Sequence, residues 1–264
     1  MVRHARASPF EQVPRALVAV GNDYPAGHVH PTHHHRRAQL LHAITGTMVV
    51  STGQGAWIVP PQQGLWLPGG VQHSFRMIGK VTTRSVYIEP AAARGMPSQC
   101  YVLEISSLLR QLLIEAVDLP VEYEVGGRAE AIVNLLLLEL GAARRHPLAV
   151  PFPANEALAN RCRHFLENPS AHATIDDWAL ALAMSRRTLT RLFRRETGLS
   201  LAEWQRRAAV LQGIPRLARG EAITTIALDL GYGSPAAFTS MFKRVLGTPP
   251  RRYAATAFGA HLTT

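Results

Sequence analysis

The sequence is poor in cysteine. Its 264 residues contain only Cys100 and Cys162, and no Cys-X-X-Cys pair is present. Two isolated thiols do not form the disulfide framework of a small secreted domain or the thiolate set of a structural zinc site. This absence favours a reducing compartment, and we expect the protein in the cytoplasm.

Long hydrophobic runs are also absent. The first residues, MVRHARASPFEQ, lack the apolar segment that a secretion signal requires. The most apolar run, Ala131 to Ala143, is shorter than the roughly 20 residues that span a bilayer, and it contains Asn134 and Glu139. The run therefore predicts a buried or subunit-contacting helix, and we expect no membrane contact.

Acidic residues are scarce relative to basic ones. The chain carries 28 Lys and Arg against 18 Asp and Glu, a formal net charge of +10. Residues 154–264 hold 15 of these basic and 8 of these acidic residues, so +7 of the charge lies in the C-terminal part. A polyanionic partner is indicated, although charge alone does not separate nucleic acid from an acidic membrane surface.

The apolar pattern changes along the chain, which is long enough for two domains. Between Ala38 and Glu89, short apolar segments alternate with turn signals such as Thr45-Gly46, as in a small antiparallel barrel or sandwich. After Leu103 the period lengthens and predicts two helices. Three prolines in residues 146–155 indicate a linker before a helical remainder. The predicted fold is α+β and multidomain: a β-rich domain (1–95), a helical connector with a dimer contact (96–150) and an all-α domain (151–264).

Residues 174–198 have the pattern of two short helices joined by a tight turn. Thr174 and Asp177 form a start that resembles a capping box, and apolar residues follow at helical spacing. Ser185 offers an N-cap to a second helix, in which the apolar residues and the arginines lie on opposite sides. The pattern fits a helix-turn-helix, although a solvated helix in an ordinary bundle has a similar one.

A degenerate second copy favours the helix-turn-helix. The first helix recurs 48 residues later and the second 49 residues later, because the turn Gly231-Tyr232-Gly233 has one additional residue. Ser234-Pro235 is an N-cap followed by proline at the first helical position, where the missing N–H costs nothing. The matched pairs are Ile175 and Ile223, Trp178 and Ile226, Ala179 and Ala227, Leu182 and Leu230, Ser185 and Ser234, Leu189 and Phe238, Leu192 and Met241, Phe193 and Phe242, Arg194 and Lys243, Arg195 and Arg244, and Gly198 and Gly247.

These two copies carry a family resemblance. The segments IDDWALALAMSRRTLTRLFRRETGLSLAEWQRR and ITTIALDLGYGSPAAFTSMFKRVLGTPPRRY resemble the DNA-binding domain of AraC/XylS-type transcription regulators over about residues 156–253. The resemblance implies two helix-turn-helix units that read successive major-groove faces of one duplex. A helix over residues 201–219 would span roughly 28 Å, comparable to the spacing of those grooves. Gly213 and Pro215 lie within it and predict a kink or a break.

The first recognition helix is the richer in groups that read bases. Arg186, Arg187, Thr190 and Arg191 are candidates for base edges, because arginine grips guanine bidentately. Residues further along each helix are expected to hold phosphates, and the second helix to pack methyl groups against thymine. The predicted DNA-contacting residues are Ser185, Arg186, Arg187, Thr190, Arg191, Arg194, Arg195, Ser234, Ala236, Ala237, Ser240, Lys243 and Arg244.

Histidines cluster in the β-rich part. The segments HVHPTHHHRRAQLLHAITG and PGGVQHSF contain an HxHxxxQ and a PxGxxH pattern that resemble the two motifs of cupins. The resemblance implies a divalent metal held by His33, His35, Gln39 and His73, although Gln39 stands where cupins have a glutamate and its neutral amide is a weaker ligand. A metal site, an organic-ligand pocket that Trp66 also lines, and a purely structural barrel remain open.

Two functions compete at this point. The leading hypothesis is a non-enzymatic transcription regulator of the AraC type: a homodimer that binds double-stranded DNA, responds to a small-molecule or metal effector, and addresses RNA polymerase. The rival is a metal-dependent cupin enzyme, a dioxygenase or isomerase, with a helical appendage. Gln39 counts against the rival, and no residue is predicted to be catalytic.

Overall fold

The structure is a computed structural model, and it describes residues 10–61, 63–146, 149–167 and 170–258. The chain divides into two compact units, residues 1–52 with 58–147 and residues 53–57 with 148–264. The two helices expected in the connector fall in the first unit. Residues 1–9, where no secretion signal is expected, and residues 147 and 148 of the expected linker lie outside the described residues.

The first unit is built on an antiparallel sheet, which confirms the β-rich prediction. Its strands follow the order β1-β6-β3-β5-β7-β8, and β2 also pairs with β6. Two of these strands begin before Ala38, where the turn and apolar pattern had not indicated any. The described strands up to residue 146 are β1 (Leu17–Tyr24), β2 (Val29–His33), β3 (Ala38–Thr52), β4 (Gly55–Val59), β5 (Gln63–Leu67), β6 (His73–Ile88), β7 (Tyr101–Glu104) and β8 (Arg145–His146), and residues 55–57 of β4 belong to the second unit.

A bulge bends the two longest strands. The pairing of β3 with β6 runs from Ala38↔Ile88 to Thr52↔His73, and its register shifts on either side of Thr45. Gly46 has a φ of +73°, and a side chain there would come within 2.3 Å of the Lys80 carbonyl oxygen. The turn predicted at Thr45-Gly46 is therefore wrong: the glycine permits a bulge within one continuous strand.

Two helices cover one face of this sheet. They are α1 (Ser107–Val117) and α2 (Arg128–Ala142), the two helices expected after Leu103. Ser106 caps α1 by accepting a hydrogen bond from the backbone N–H of Leu109. Buried side chains from alternate strand positions, including Leu40, Trp66 and Val86, pack against apolar residues of both helices. Because successive side chains of a strand point to opposite faces, the neighbouring Gln39 and Tyr87 point to the other face.

Within its described residues, the second unit is helical apart from one strand pair. Residues Gly55 to Trp57 of β4 pair with β9, the strand Ala149–Pro151 inside the predicted proline-rich linker. The indole N–H of Trp204 donates to the Pro151 carbonyl at 2.7 Å, which ties this strand to the helices. The helices are α3 (Glu156–Glu167), α4 (Ile175–Ala181), α5 (Arg186–Thr197), α6 (Leu201–Ala218), α7 (Ile223–Asp229), α8 (Pro235–Leu246) and α9 (Pro250–Phe258).

The spacer helix α6 is continuous. Pro215 lies inside it and removes one backbone hydrogen bond, but the helix continues to Ala218, so the break offered as an alternative to a kink does not occur. At Gly213 an added Cβ would lie 3.1 Å from Phe238, so the glycine permits a close approach between α6 and α8. Among the described residues, no helix is long and apolar enough to cross a bilayer.

Candidate nucleic-acid interface and effector site

The first helix-turn-helix has the predicted caps. The Thr174 hydroxyl accepts from the Asp177 N–H, and the Asp177 carboxylate accepts from the Thr174 N–H in return, which makes a complete capping box for α4. Ser185 caps α5 by accepting from the Thr188 N–H, and Gly198 ends α5 in the left-handed conformation. The turn between the helices holds Ala183 at a φ of 50°.

Aromatic packing fixes the back of this motif. Trp178 of α4, Phe193 of α5 and Trp204 of α6 are each fully buried. The Phe193 ring centroid lies 6.2 Å from that of Trp178 and 6.0 Å from that of Trp204, both edge-on. These tryptophans are therefore core residues. With Leu189 also buried, only the opposite face of α5 is available to a partner.

That opposite face is cationic. Arg186, Arg187, Thr190, Arg191, Arg194 and Arg195 are exposed and line one shallow groove together with Ile175. The Asp176 carboxylate accepts hydrogen bonds from Nε and Nη2 of Arg186. Arg195 lies 3.2 Å from a Glu196 oxygen. Within the described ranges, Arg187, Arg191 and Arg194 form no ion pair, so their guanidinium groups are available for an anionic partner.

The second helix-turn-helix presents a less charged face. Ser234 caps α8 by accepting from the Ala237 N–H, and Pro235 occupies the first turn as predicted. Phe238, Met241 and Phe242 are buried. The predicted contact residues Ala236, Ala237, Ser240, Lys243 and Arg244 are exposed, and Ser234 is half-buried.

The two motifs are joined by hydrogen bonds and ion pairs within the second unit. The Ala171 N–H donates to the Leu230 carbonyl at 2.8 Å, which links the segment before α4 to the turn after α7. The Gln205 side chain on α6 donates to the Ala173 carbonyl at 2.8 Å. Arg216, at the end of α6, pairs with Glu221 and Asp229 and so ties α6 to α7. These contacts limit the freedom of one motif relative to the other.

In the first unit, three of the predicted ligands converge. His33 ends β2, His35 follows it, and His73 begins β6 directly opposite His33. Each ring contributes one nitrogen to a set of three that all lie within 4.8 Å of one another. The ring centroids of His33 and His73 are 4.3 Å apart.

In each of the three histidines, the same ring nitrogen lies at a backbone carbonyl. Nδ1 of His33, His35 and His73 lies at a backbone carbonyl, of Pro31, Arg37 and Val71, at 3.0, 2.6 and 2.9 Å respectively. Nε2 of His73 is buried and has no hydrogen-bond partner. Burial lowers the pKa of His73 to about 4 and also lowers the pKa of His35. The rings of His35 and His73 are therefore neutral near pH 7 and carry a lone pair suited to a cation.

Gln39 belongs to this cluster through a contact that the sequence did not indicate. Its Oε1 lies 3.1 Å from Nε2 of His35, and its amide nitrogen donates to the Tyr87 hydroxyl at 3.0 Å. Tyr87 lies opposite Gln39 in the β3–β6 pairing and was not singled out, since its role depends on long-range register. His34 is exposed, whereas the ring of His30 lies 4.3 Å from that of His33.

The assignment of Trp66 to the ligand pocket is wrong. Trp66 lies opposite Leu40 and belongs to the core under α1 and α2, on the sheet face away from Gln39. Its indole N–H donates to the Pro97 carbonyl at 2.9 Å. When a strand is buried on both faces, apolar and polar residues do not alternate along it. The sequence therefore does not show to which face of the sheet an aromatic side chain points.

Comparisons with known proteins agree with this arrangement. Residues 17–140 match the family model of an AraC-like ligand binding domain, and residues 178–256 match that of a helix-turn-helix domain. The HTH-type transcriptional regulator NimR of Escherichia coli (strain K12) is 32% identical over 225 residues, 85% of this chain and 82% of NimR. A putative AraC-like transcription regulator of Streptomyces lividans is 37% identical over 98 residues, which cover 37% of this chain and 32% of that protein.

Among solved structures, the DNA-binding domain of AdpA in complex with a target DNA is 31% identical, with a TM-score of 0.37. The match covers 39% of this chain and 93% of that one. The duplicated helix-turn-helix, the ligand-binding domain that precedes it and the similarity to NimR over most of both chains lead to one assignment. The chain belongs to the AraC family of DNA-binding transcriptional regulators.

Proposed function

We propose that this regulator reads its operator mainly with α5, and that a metal ion bound at the histidine cluster is its effector. The observation that carries the first part is the exposed face of α5, where three arginines have no acidic partner among the described residues. The family assignment favours this function over a cupin enzyme.

The positions of the side chains suggest a division of roles on DNA. Arg187, Thr190 and Arg191 lie in the N-terminal half of α5, the part of a recognition helix that contacts base edges. Arg194 and Arg195, further along α5, are assigned to phosphates. On α8, Lys243 and Arg244 take phosphates, while Ser234, Ala236, Ala237 and Ser240 are small enough for close contact with the groove.

Selection from a random library of DNA duplexes tests this proposal. The full chain is expected to enrich a defined sequence, and its affinity for that sequence is expected to fall steeply with salt, because Lys and Arg contacts displace phosphate counterions. A binding constant that stays flat between low and moderate salt contradicts duplex binding through these side chains.

The donor set of the histidine cluster fits a divalent transition metal. Neutral imidazoles suit ions such as Zn²⁺, Ni²⁺ and Cu²⁺, and the buried Nε2 of His73 has no other partner. A backbone carbonyl behind each Nδ1 orients the opposite nitrogen, as is usual for histidine ligands. Nitrogens bound to one tetrahedral ion lie about 3.4 Å apart, so rings with nitrogens up to 4.8 Å apart must draw inward.

Gln39 is the fourth group of the cluster. When Nδ1 of His35 donates to the Arg37 carbonyl, Nε2 presents a lone pair to the Gln39 side-chain amide at 3.1 Å. An amide can turn either its N–H or its oxygen to a neighbour, so Gln39 can donate to this lone pair when no ion is bound and offer its oxygen to a bound ion. A bound ion would join β2 to β6 through His33 and His73, and Gln39 is placed to add a weak oxygen ligand.

Metal content measured on the native protein tests the effector proposal. We expect about one equivalent of a transition metal in the wild type and none in a His33→Ala/His73→Ala double variant. His34→Ala is the matched control, since His34 is exposed and should leave the content unchanged. Equal content in wild type and double variant rules out the metal and leaves an organic-ligand pocket or a purely structural barrel.

A homodimer through α2 is also proposed. Leu138 is 71% exposed and Leu135 is 41% exposed, and together with Ala131 and Ala142 they form an exposed apolar stripe on this helix. RNA polymerase is the proposed partner in transcription. Sedimentation at several concentrations tests the dimer: Leu135→Glu/Leu138→Glu is expected to give monomers, and Gln111→Glu on α1 to leave the oligomeric state unchanged.

A further inference from the structure

Asp176 and Arg186 form an ion pair between the two helices of the first motif. Both oxygens of the Asp176 carboxylate are used, one by Nε and the other by Nη2 of Arg186. Asp176 lies in the first turn of α4, and Arg186 is the first residue of α5. The guanidinium group of Arg186, which the sequence predicted to contact base edges, is thus held in one plane.

The fold does not require this pair. The start of α4 is already capped by Thr174 with Asp177, and the start of α5 by Ser185. The side chains of Arg186 and Asp176 are 65% and 56% exposed. Ion pairs with this exposure add little to stability, because water screens them and two long side chains lose freedom. The pair therefore calls for an explanation other than folding.

The second motif lacks the pair. In the repeat, Thr224 corresponds to Asp176 and Pro235 corresponds to Arg186. The ion pair thus occurs only in the motif whose recognition helix is rich in arginine. A carboxylate beside a DNA-binding face is repelled by phosphates, so its presence there is costly unless it controls the arginine that it binds.

The geometry leaves one edge of Arg186 free. Asp176 occupies the side of the guanidinium formed by Nε and Nη2. The outer edge, with Nη1 and the second hydrogen of Nη2, remains available as a two-pronged donor, which matches O6 and N7 of guanine in the major groove. A fixed plane favours this directional contact over the non-directional attraction of a free cation to phosphate.

We infer that Asp176 is a specificity-determining positioning residue, which holds Arg186 so that its outer edge reads one G·C pair of the operator. Without the carboxylate, Arg186 becomes a free cation that contacts the DNA backbone. This inference rests on the proposed placement of α5 in the major groove.

The test uses the full chain and the duplex that the wild type selects from a random library. Affinity is measured for that duplex and for duplexes in which each base pair is replaced in turn. Asp176→Ala and Arg186→Ala are each expected to lower discrimination at the same G·C pair by about fivefold or more. Asp176→Ala is expected to add nothing in the Arg186→Ala background. The affinity of Asp176→Ala for unrelated duplexes should stay unchanged or increase.

Two further variants separate positioning from folding. Asp177→Asn removes the neighbouring carboxylate, which caps α4 without binding Arg186. It should leave the base profile, the set of affinities for the substituted duplexes, unchanged. Asp176→Glu keeps a carboxylate and should restore part of the discrimination. Suppose that the wild type is selective, but that Asp176→Ala leaves the base profile unaltered or alters it equally with and without Arg186. The inference then fails, while the groove placement of α5 stands. A wild type that selects no sequence overturns the groove placement of α5 and the inference with it.

Discussion

The two helix-turn-helix motifs share a backbone pattern and differ in the side chains that they present. In both, a serine caps the recognition helix, a left-handed glycine ends it, and a buried phenylalanine, Phe193 or Phe242, anchors it. The first motif adds a capping box and several exposed arginines on α5. The second begins at Ala222 with no side-chain cap and exposes mainly small residues. The two copies therefore share their internal packing, and their exposed faces can differ.

The largest expected effect separates the DNA contacts of the two motifs. Arg187→Ala/Arg191→Ala should lower affinity for the selected duplex at least about 30-fold and weaken its preference over other sequences, since one bidentate base contact contributes about 1–3 kcal/mol. Lys243→Ala/Arg244→Ala should weaken binding to all sequences alike and reduce the salt slope by about 1.8, because two phosphate contacts are lost. Fluorescence anisotropy titrations at several salt concentrations measure both. If both double variants lose affinity for all duplexes in the same proportions, the proposed division of roles is contradicted.

A second prediction concerns the turn of the second motif. Gly231 has a φ of +80°, and an added Cβ would lie 3.0 Å from the Ala171 nitrogen. Gly231→Ala is therefore expected to lower the free energy of unfolding by about 1–3 kcal/mol. Gly233→Ala is the control, because a Cβ there meets nothing within 4 Å. Urea unfolding of the full chain, followed by fluorescence, compares the two; equal midpoints would contradict the strain argument.

The helix caps should respond in opposite directions. Thr174→Ala removes the capping hydroxyl of α4 and is expected to destabilise it by about 1 kcal/mol. Ala222→Ser supplies the cap that α7 lacks and is expected to stabilise it by about 0.5 kcal/mol. Hydrogen exchange of the first amides of each helix reports the change locally. Faster exchange in both variants would mean that the uncapped start of α7 is stabilised in another way.

The smallest expected effect lies in the turn of the first motif. Ala183 occupies the left-handed conformation that Gly231 has in the second motif. This conformation costs alanine about 1–2 kcal/mol, and the freer unfolded chain of glycine offsets about 0.5–1 kcal/mol. Ala183→Gly should thus stabilise the chain by about 0.5 kcal/mol in the same urea assay. Ala181→Gly, at the last residue of α4, should destabilise the chain instead. A loss of stability in both variants would refute the turn argument.

Local features were the part of this structure that the sequence predicted well. The caps at Thr174, Ser185 and Ser234 depend on residues three positions away, and the buried face of α5 depends on helical spacing. The convergence of His33, His35 and His73 was implied by the cupin resemblance, because no local rule brings β2 and β6 together.

Features that depend on tertiary structure were not predictable. All five residues of β5 are buried, so the direction of Trp66 left no alternating pattern. A glycine with positive φ fits both a turn and a bulge, which is why Gly46 was misplaced. The contacts of Gln39 with Tyr87 and of Asp176 with Arg186 join residues from separate elements, and neither pair has a characteristic spacing.

The pairing of β4 with β9 has a practical consequence for anyone who divides this gene. Residues 53–57 belong to the second unit, although about 90 residues of the first unit separate them from the rest of it. A fragment that starts at residue 149 would leave the backbone groups of Val150 without their partner at Ala56, as an open strand edge prone to self-association. Chimaeras that exchange the DNA-binding half between relatives should therefore carry the 53–57 loop with it.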